Sequence, residues 1–203
     1  MFSLSSIISF FKTHNFRGGL WYLYYHMLNG DEKVYFFELN RVNQLKDIQI
    51  NKHLNIKGYK NPTINDEFFD QLASIKGKKK AIYDIKVINK KNDWLFIIYY
   101  DSNIAGWGIV TIGPQNHRGL KLTMNEFIIH SCITQNKYRR KRVYTTLLVK
   151  ILQNMDNKNF STGYITSKLF NSASILAIEK VGFSFLKIDK RGNFLKRLLN
   201  KIF

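Results

Sequence analysis

From residue 94 onward the apolar positions alternate between a strand period and a helix period. Residues 94–100 (Trp-Leu-Phe-Ile-Ile-Tyr-Tyr) and 104–112 are apolar runs separated by Asp101-Ser102-Asn103, which predicts two strands joined by a tight turn. Another strand is expected over 124–134. In 143–155, Val143, Leu147, Leu148, Ile151 and Leu152 recur at helical spacing and define one buried face. A short strand at 163–167 precedes a helix over 171–181, where Ile175, Ile178 and Val181 share a side. Gly182 follows, where a helix C-terminus needs a left-handed residue, and 183–188 reads as a final strand.

The first half is less regular. Residues 33–39 alternate and predict a strand, while 42–53 and 65–75 carry helical patterns, the second with an Asn65 cap and Phe68, Phe69, Leu72 and Ile75 on one face. A further strand is expected over 81–88, with loops at 57–62, 77–80 and 113–119. Helices early, a central hairpin, and then strand-helix-strand-helix-strand predict an α/β class protein with one mixed, mostly antiparallel sheet flanked by helices.

The first thirty residues stand apart as an expected N-terminal helical extension, leaving 31–203 as the main domain. Patterns at 4–13 and 19–28 are aromatic-rich, the latter holding Trp21, Tyr22, Tyr24, Tyr25 and His26. They lack the basic leader and cleavage site of a signal peptide, and Lys12, Arg17 and Lys33 interrupt any apolar run before it could span a bilayer. Two readings stay open: packing or homo-oligomer contact, and peripheral attachment at the inner face of a membrane.

Composition narrows the compartment and the partners. The 203 residues are 45% hydrophobic, enough for a sizeable core, and the formal net charge is +18. That field favours polyanionic partners. The single Cys132 excludes an intramolecular disulfide, and His14, His26, His53, His117 and His130 are too scattered to suggest a metal site. A cytoplasmic, reducing setting is the expectation.

The chemistry concentrates after the strand at 124–134. Five of the six residues Lys137, Tyr138, Arg139, Arg140, Lys141 and Arg142 are basic, and no acidic residue occurs between Glu126 and Asp156. They lead into the helix beginning at Val143, Tyr144 and Thr145. N–H groups of the loop and of the first helical turn, reinforced by the helix dipole, make a natural seat for a diphosphate. An isolated basic run is more often a solvated turn or a nucleic-acid patch; the strand-to-helix setting favours phosphate over nucleic acid.

This stretch, together with Asn171-Ser172-Ala173-Ser174 and the Glu179-Lys180-Val181-Gly182-Phe183 ending, resembles the two signature motifs of the GNAT (Gcn5-related) N-acetyltransferase superfamily. The first motif is Gln/Arg-x-x-Gly-x-Gly/Ala; here Arg140, Arg142 and Tyr144 stand at the glycine positions. A turn kept in right-handed helical dihedrals needs no glycine, and that is the expectation. The second motif fits at Asn171, Ser174, Gly182 and Phe183, with Ile178 in place of the usual tyrosine. The resemblance implies a GNAT-like fold, acetyl-CoA or another acyl-CoA as cosubstrate, and an amine acceptor. It further implies that backbone N–H groups near Cys132 and Ile133 polarise the thioester carbonyl, and that Asn171 contacts the cosubstrate's arm.

For the base, Glu126 lies eleven residues before Lys137, the offset at which histone-type members place their strand glutamate. His130 shares its strand face if no bulge intervenes. Cys132, two residues further and without an orienting third group, reads as a small hydrophobe that points the same way as His130. Tyr144 and Tyr164 are candidate proton donors to the thiolate. Small basic members with an aromatic N-terminal extension look like those that acylate amino-sugar nucleotides for bacterial surface polysaccharides; protein or peptide amines are the alternative acceptors, and a binding module without catalysis is the alternative class.

Overall fold

A computed structural model describes residues 31–189 except 118 and 170. The two helical patterns expected within residues 1–30 lie outside the described residues. The chain forms two compact units. The smaller comprises 1–33, 168–170 and 187–203 and is mostly undescribed; it holds an ion pair of 3.1 Å between Lys168 and Glu32. The larger, 34–167 and 171–186, carries the candidate site.

Seven strands form one sheet: β1 (Glu32–Glu38), β2 (Leu54–Lys60), β3 (Trp94–Tyr100), β4 (Asn103–Ile112), β7 (Glu126–Thr134), β8 (Thr162–Lys168) and β9 (Ser184–Asp189), in the spatial order β2-β3-β4-β7-β8-β1-β9. Short strands β5 (Gln115–His117) and β6 (Leu120–Leu122) pair separately. The run from β2 to β7 is antiparallel, and β7 pairs in parallel with β8 across the helix α3 (Val143–Asp156) that connects them. Helices α1 (Phe69–Lys76) and α2 (Lys78–Lys90) link β2 to β3, and α4 (Ser172–Lys180) links β8 to β9.

Strand alternation divides the core between two faces. Phe96 and Ile98 of β3, with Phe127 and Ile129 of β7, pack under α3 through Leu147, Leu148, Ile151 and Leu152 and under α4 through Ile178. Their neighbours Leu95 and Ile97, with Trp107 of β4, pack instead against Phe69 and Leu72 of α1 and Ala81, Ile85 and Ile88 of α2. Among the described residues no helix is long and apolar enough to cross a membrane, and no group of three metal-ligating side chains is present.

Several expectations fail in the first half. Residues 81–88 form the body of α2: their burial falls on Ala81, Ile85 and Ile88, a helical period hidden by β-branched content. The expected loop at 77–80 is the α1–α2 junction, where Gly77 takes a positive φ of 84° and the second helix begins at once. Residues expected as a loop from 57 are the outer half of β2, which pairs with β3 from Leu54↔Tyr100 to Lys60↔Trp94. As an edge strand it buries only Leu54, so no alternating signal marks it. The helix expected at 42–53 is a 3₁₀ helix over Leu39–Asp47, and Asn65 caps nothing, because α1 starts at Phe69. Part of the expected loop at 113–119 is β5.

Candidate active site

Strands β7 and β8 begin together and then part. Their parallel pairing runs from Glu126↔Thr162 to Ile129↔Ile165, whereas β7 continues beside β4 as far as Thr134↔Gly106. Over residues 130–134, the alternate backbone groups of β7 that face the β8 side therefore meet an opening rather than a strand. Within this stretch β7 bulges: Trp107 pairs with Ile133 and Ile109 with His130, so Gly108 alone faces Ser131 and Cys132. Ser131 takes a left-handed φ of 52° to make the bulge. A Cβ on Gly108 would crowd this spot, lying 3.0 Å from Cys132 Sγ and 3.4 Å from Leu147 Cδ2, so those side chains would have to give by a few tenths of an ångström.

The turn after β7 forms the end of the opening. Asn136–Tyr138 make a single 3₁₀ turn, and α3 follows with Arg142 as its N-cap residue. The first backbone hydrogen bond of α3 runs from Thr146 N–H to Arg142 C=O at 2.9 Å, and no side chain caps the helix. The N–H groups of Val143, Tyr144 and Thr145 thus have no intrahelical partner and present the positive end of a fourteen-residue helix. Arg140 and Arg142 have φ of 63° and 60°, so the turn is not right-handed as expected: these two arginines adopt the conformation that glycine supplies in the motif they replace.

A cleft of about 750 Å³ occupies the divergence. It suits a cosubstrate-sized ligand. Of the residues singled out from sequence, Cys132, Ile133, Arg139, Arg140, Arg142, Val143, Tyr144, Thr145 and Asn171 line it. Lys137 and Lys141 do not: the Lys137 ammonium sits 4.9 Å from the Tyr138 ring centre, and that of Lys141 stands 4.6 Å from Tyr100 and 5.6 Å from Tyr138. Both ammonium groups are in cation–π range of these rings. Thr134, Tyr138, Ala173, Ser174 and Ala177 also line the cleft and were not among the site residues expected from sequence, although Tyr138 lies in the basic run and Ser174 in the second motif. Asn171 itself caps α4, its Oδ1 accepting from Ser174 N–H at 3.2 Å.

The titratable groups divide by sheet face. His130 projects on the α1/α2 side, with Nε2 at 2.8 Å from Thr111 Oγ1, Nδ1 at 3.0 Å from Ser131 Oγ, and its ring centre 4.4 Å from that of His117. It stands one residue beyond the last β7–β8 pair, at the mouth of the opening. Glu126 shares that face, the bulge lying beyond both residues, but at the far, closed end. Its Oε2 accepts from Thr123 N–H at 2.7 Å and its Oε1 from Tyr164 O–H at 2.8 Å. Burial raises its carboxyl, yet those donors prevail and hold it below the usual glutamate value.

Cys132 does not point the same way as His130, because the bulge rotates it to the α3 face beside Gly108 and Leu147. Burial there pushes its thiol up to about 12. Tyr144 packs beside the same core; burial, reinforced by the Cys132 sulfur, raises its hydroxyl well above the ordinary tyrosine value, against the pull of a hydrogen bond to Ser174.

No protein-family model and no curated protein sequence matches this chain. Solved structures do. A tandem GNAT protein from the clavulanic acid biosynthesis pathway superposes with a TM-score of 0.55 at 13% identity, over 81% of this chain and 54% of that one. A conserved protein of unknown function from Staphylococcus epidermidis gives 0.54 at 9% identity, over 84% and 64% respectively, so this chain spans less than two thirds of the length of either. The enzyme AAC(6')-Iy, in complex with the bisubstrate analogue CoA-S-monomethyl-acetylneamine, gives 0.51 at 15% identity, over 66% of this chain and 92% of that one. At such identities the likeness is one of architecture. This chain has the GNAT fold, a mixed α/β domain with a mostly antiparallel sheet flanked by helices.

Proposed function

We propose that this chain is an acyl-CoA-dependent N-acyltransferase that carries an acetyl or similar group to a primary amine of a small molecule. The observation that carries the reading is the cleft where β7 and β8 part, closed at one end by a bare helix N-terminus with Arg139, Arg140 and Arg142 around it. A diphosphate needs such a seat: unpaired N–H groups, a favourable dipole, and guanidinium forks. Support for an amine acceptor comes from the neighbour AAC(6')-Iy, an aminoglycoside N-acetyltransferase solved with CoA.

In this reading Arg139, Arg140 and Arg142, with the N–H groups of Val143, Tyr144 and Thr145, hold the diphosphate, and Asn171 orients the pantetheine arm. Acyl-CoA supplies the thioester. The N–H groups of β7 near Cys132 and Ile133, beside the bulge, polarise the carbonyl. His130 takes the proton of the attacking amine, directly or through water. Its imidazole stands one residue beyond the last β7–β8 pair, with Nε2 beside Thr111 Oγ1 and Nδ1 beside Ser131 Oγ. Glu126, already engaged by two donors, shapes the strand instead. Tyr144, lining the cleft, stands in for the family tyrosine lost at Ile178 as a hydrogen-bond donor to the departing thiolate. For the acceptor we favour an amino-sugar nucleotide, whose phosphates suit a chain of net charge +18.

The test is release of free CoA from acetyl-CoA in the presence of amino-sugar nucleotides, aminoglycosides and peptide amines. Amine-dependent release that falls on His130→Ala supports the assignment. Release with none of these amines, from a protein that is folded, contradicts it.

A further inference from the structure

In the segment between the 3₁₀ helix and β2, Asn51 reaches the basic turn and the start of α3, 90 positions ahead of Lys141 and 95 ahead of Thr146. Asn51 Nδ2 donates to the carbonyl of Lys141 at 3.1 Å, and Asn51 N–H donates to Thr146 Oγ1 at 3.2 Å, a hydroxyl on the fully buried side of the first turn of α3. The amide is oriented by its other end, because Oδ1 accepts from His53 N–H at 3.0 Å. Lys141 is the residue between the two left-handed arginines, Arg140 and Arg142. Such a left-handed pair leaves the peptide between residues 141 and 142 free to turn over at modest cost, and the two orientations differ in which group, C=O or N–H, faces the cleft.

We infer that Asn51 is a positioning residue that fixes this peptide with its N–H toward the cosubstrate, an inference that rests on the acyl-CoA reading of the cleft. The peptide is planar and trans, so its C=O and N–H point in opposite directions. Holding the Lys141 carbonyl toward Asn51 sends the Arg142 N–H the other way, to the side on which Arg142 lines the cleft. Without the Asn51 donor, the carbonyl oxygen can turn inward and set a partial negative charge against the diphosphate. Asn51 touches no part of the cleft itself; it acts through the Lys141–Arg142 peptide.

The test is a titration of the ¹⁵N-labelled full chain with CoA and, separately, with pantetheine, which lacks the diphosphate. Asn51→Asp keeps the acceptor for His53 N–H but offers no hydrogen to Lys141; Asn51→Ala removes both and guards against a charge effect. Both variants are expected to weaken CoA by about tenfold or more, the worth of a hydrogen bond to a charged group, with pantetheine within about twofold of wild type. Unchanged CoA affinity, or equal loss of both ligands, overturns the positioning role. Wild-type protein that binds no CoA sinks the acyl-CoA reading itself, a different result from wild-type binding that the variants retain.

Discussion

The Tyr164 hydroxyl donates to Glu126 Oε1 at 2.8 Å and ties the start of β8 to the start of β7, where the two strands are still paired. With Thr123 N–H on its other oxygen, the carboxylate is satisfied and weakly basic. Glu126→Gln is therefore expected to leave turnover within about threefold of wild type, whereas His130→Ala lowers it by roughly 10²–10⁴. A depressed carboxyl pKa stabilises the fold fully above the ordinary value of about 4.3 and loses that effect as the pH falls through the lower folded value. Urea midpoints followed downward from neutral pH should fall less steeply in the acid range for Glu126→Gln than for wild type.

Arg140 and Arg142 hold left-handed dihedrals that cost a non-glycine residue about 1–2 kcal/mol each. Replacing either by glycine is expected to raise the melting temperature by about 2–4 °C for a chain of this size. The same changes remove a guanidinium from the cleft, so CoA affinity falls and its dependence on salt becomes shallower. Melting curves beside titrations at two salt concentrations check both effects. The opposed directions mark these arginines as retained for binding at the expense of local strain.

Cys132 is a packing residue on the α3 face. Its thiol, raised to about 12, stabilises the fold fully below the ordinary thiol value of about 8.5, an effect lost as the pH climbs toward the folded value. Iodoacetamide is expected to label it slowly in native protein and rapidly after denaturation, and Cys132→Ala to keep turnover while costing about 1–2 kcal/mol. Loss of turnover in a stable Cys132→Ala protein would point to a thiol mechanism instead.

Asn171 both caps α4 and lines the cleft, and the proposed binding role can be separated from the cap. Its Oδ1 caps α4 through Ser174 N–H, and its side chain lines the cleft. Asn171→Ala is expected to cost about 1 kcal/mol and to weaken CoA. Asn171→Asp retains the cap acceptor, so stability stays near wild type, yet it sets a carboxylate against an anionic ligand and weakens CoA further. Thermal melts and titrations of the two variants distinguish the roles.

The second half of the fold was legible because its periods are unambiguous: Val143, Leu147 and Ile151 mark a helix, and the runs at 94–100 and 104–112 mark buried strands. The first half was not. β2 is an edge strand with one buried residue, and α2 spells a helix in β-branched letters, so tertiary packing overrode local pattern there. At the site, the basic turn and Asn171 were visible as residue types, but the bulge at Ser131 and Cys132 was not. No glycine announces it; Gly108, which makes room for it, lies on the partner strand. The bulge is what separates Cys132 from His130. In the same way Lys137 and Lys141 read as phosphate ligands in sequence, and only the positions of Tyr100 and Tyr138 reveal that their ammonium groups sit over aromatic rings.

The central claim is that the parting of β7 and β8 makes an acyl-CoA seat, and calorimetric titration of the full chain with acetyl-CoA tests it most directly. Micromolar binding is expected, weakening as salt rises and abolished by Arg140→Glu with Arg142→Glu. A folded wild-type protein that takes up no acetyl-CoA at millimolar concentration, or whose binding survives both charge reversals, contradicts the account.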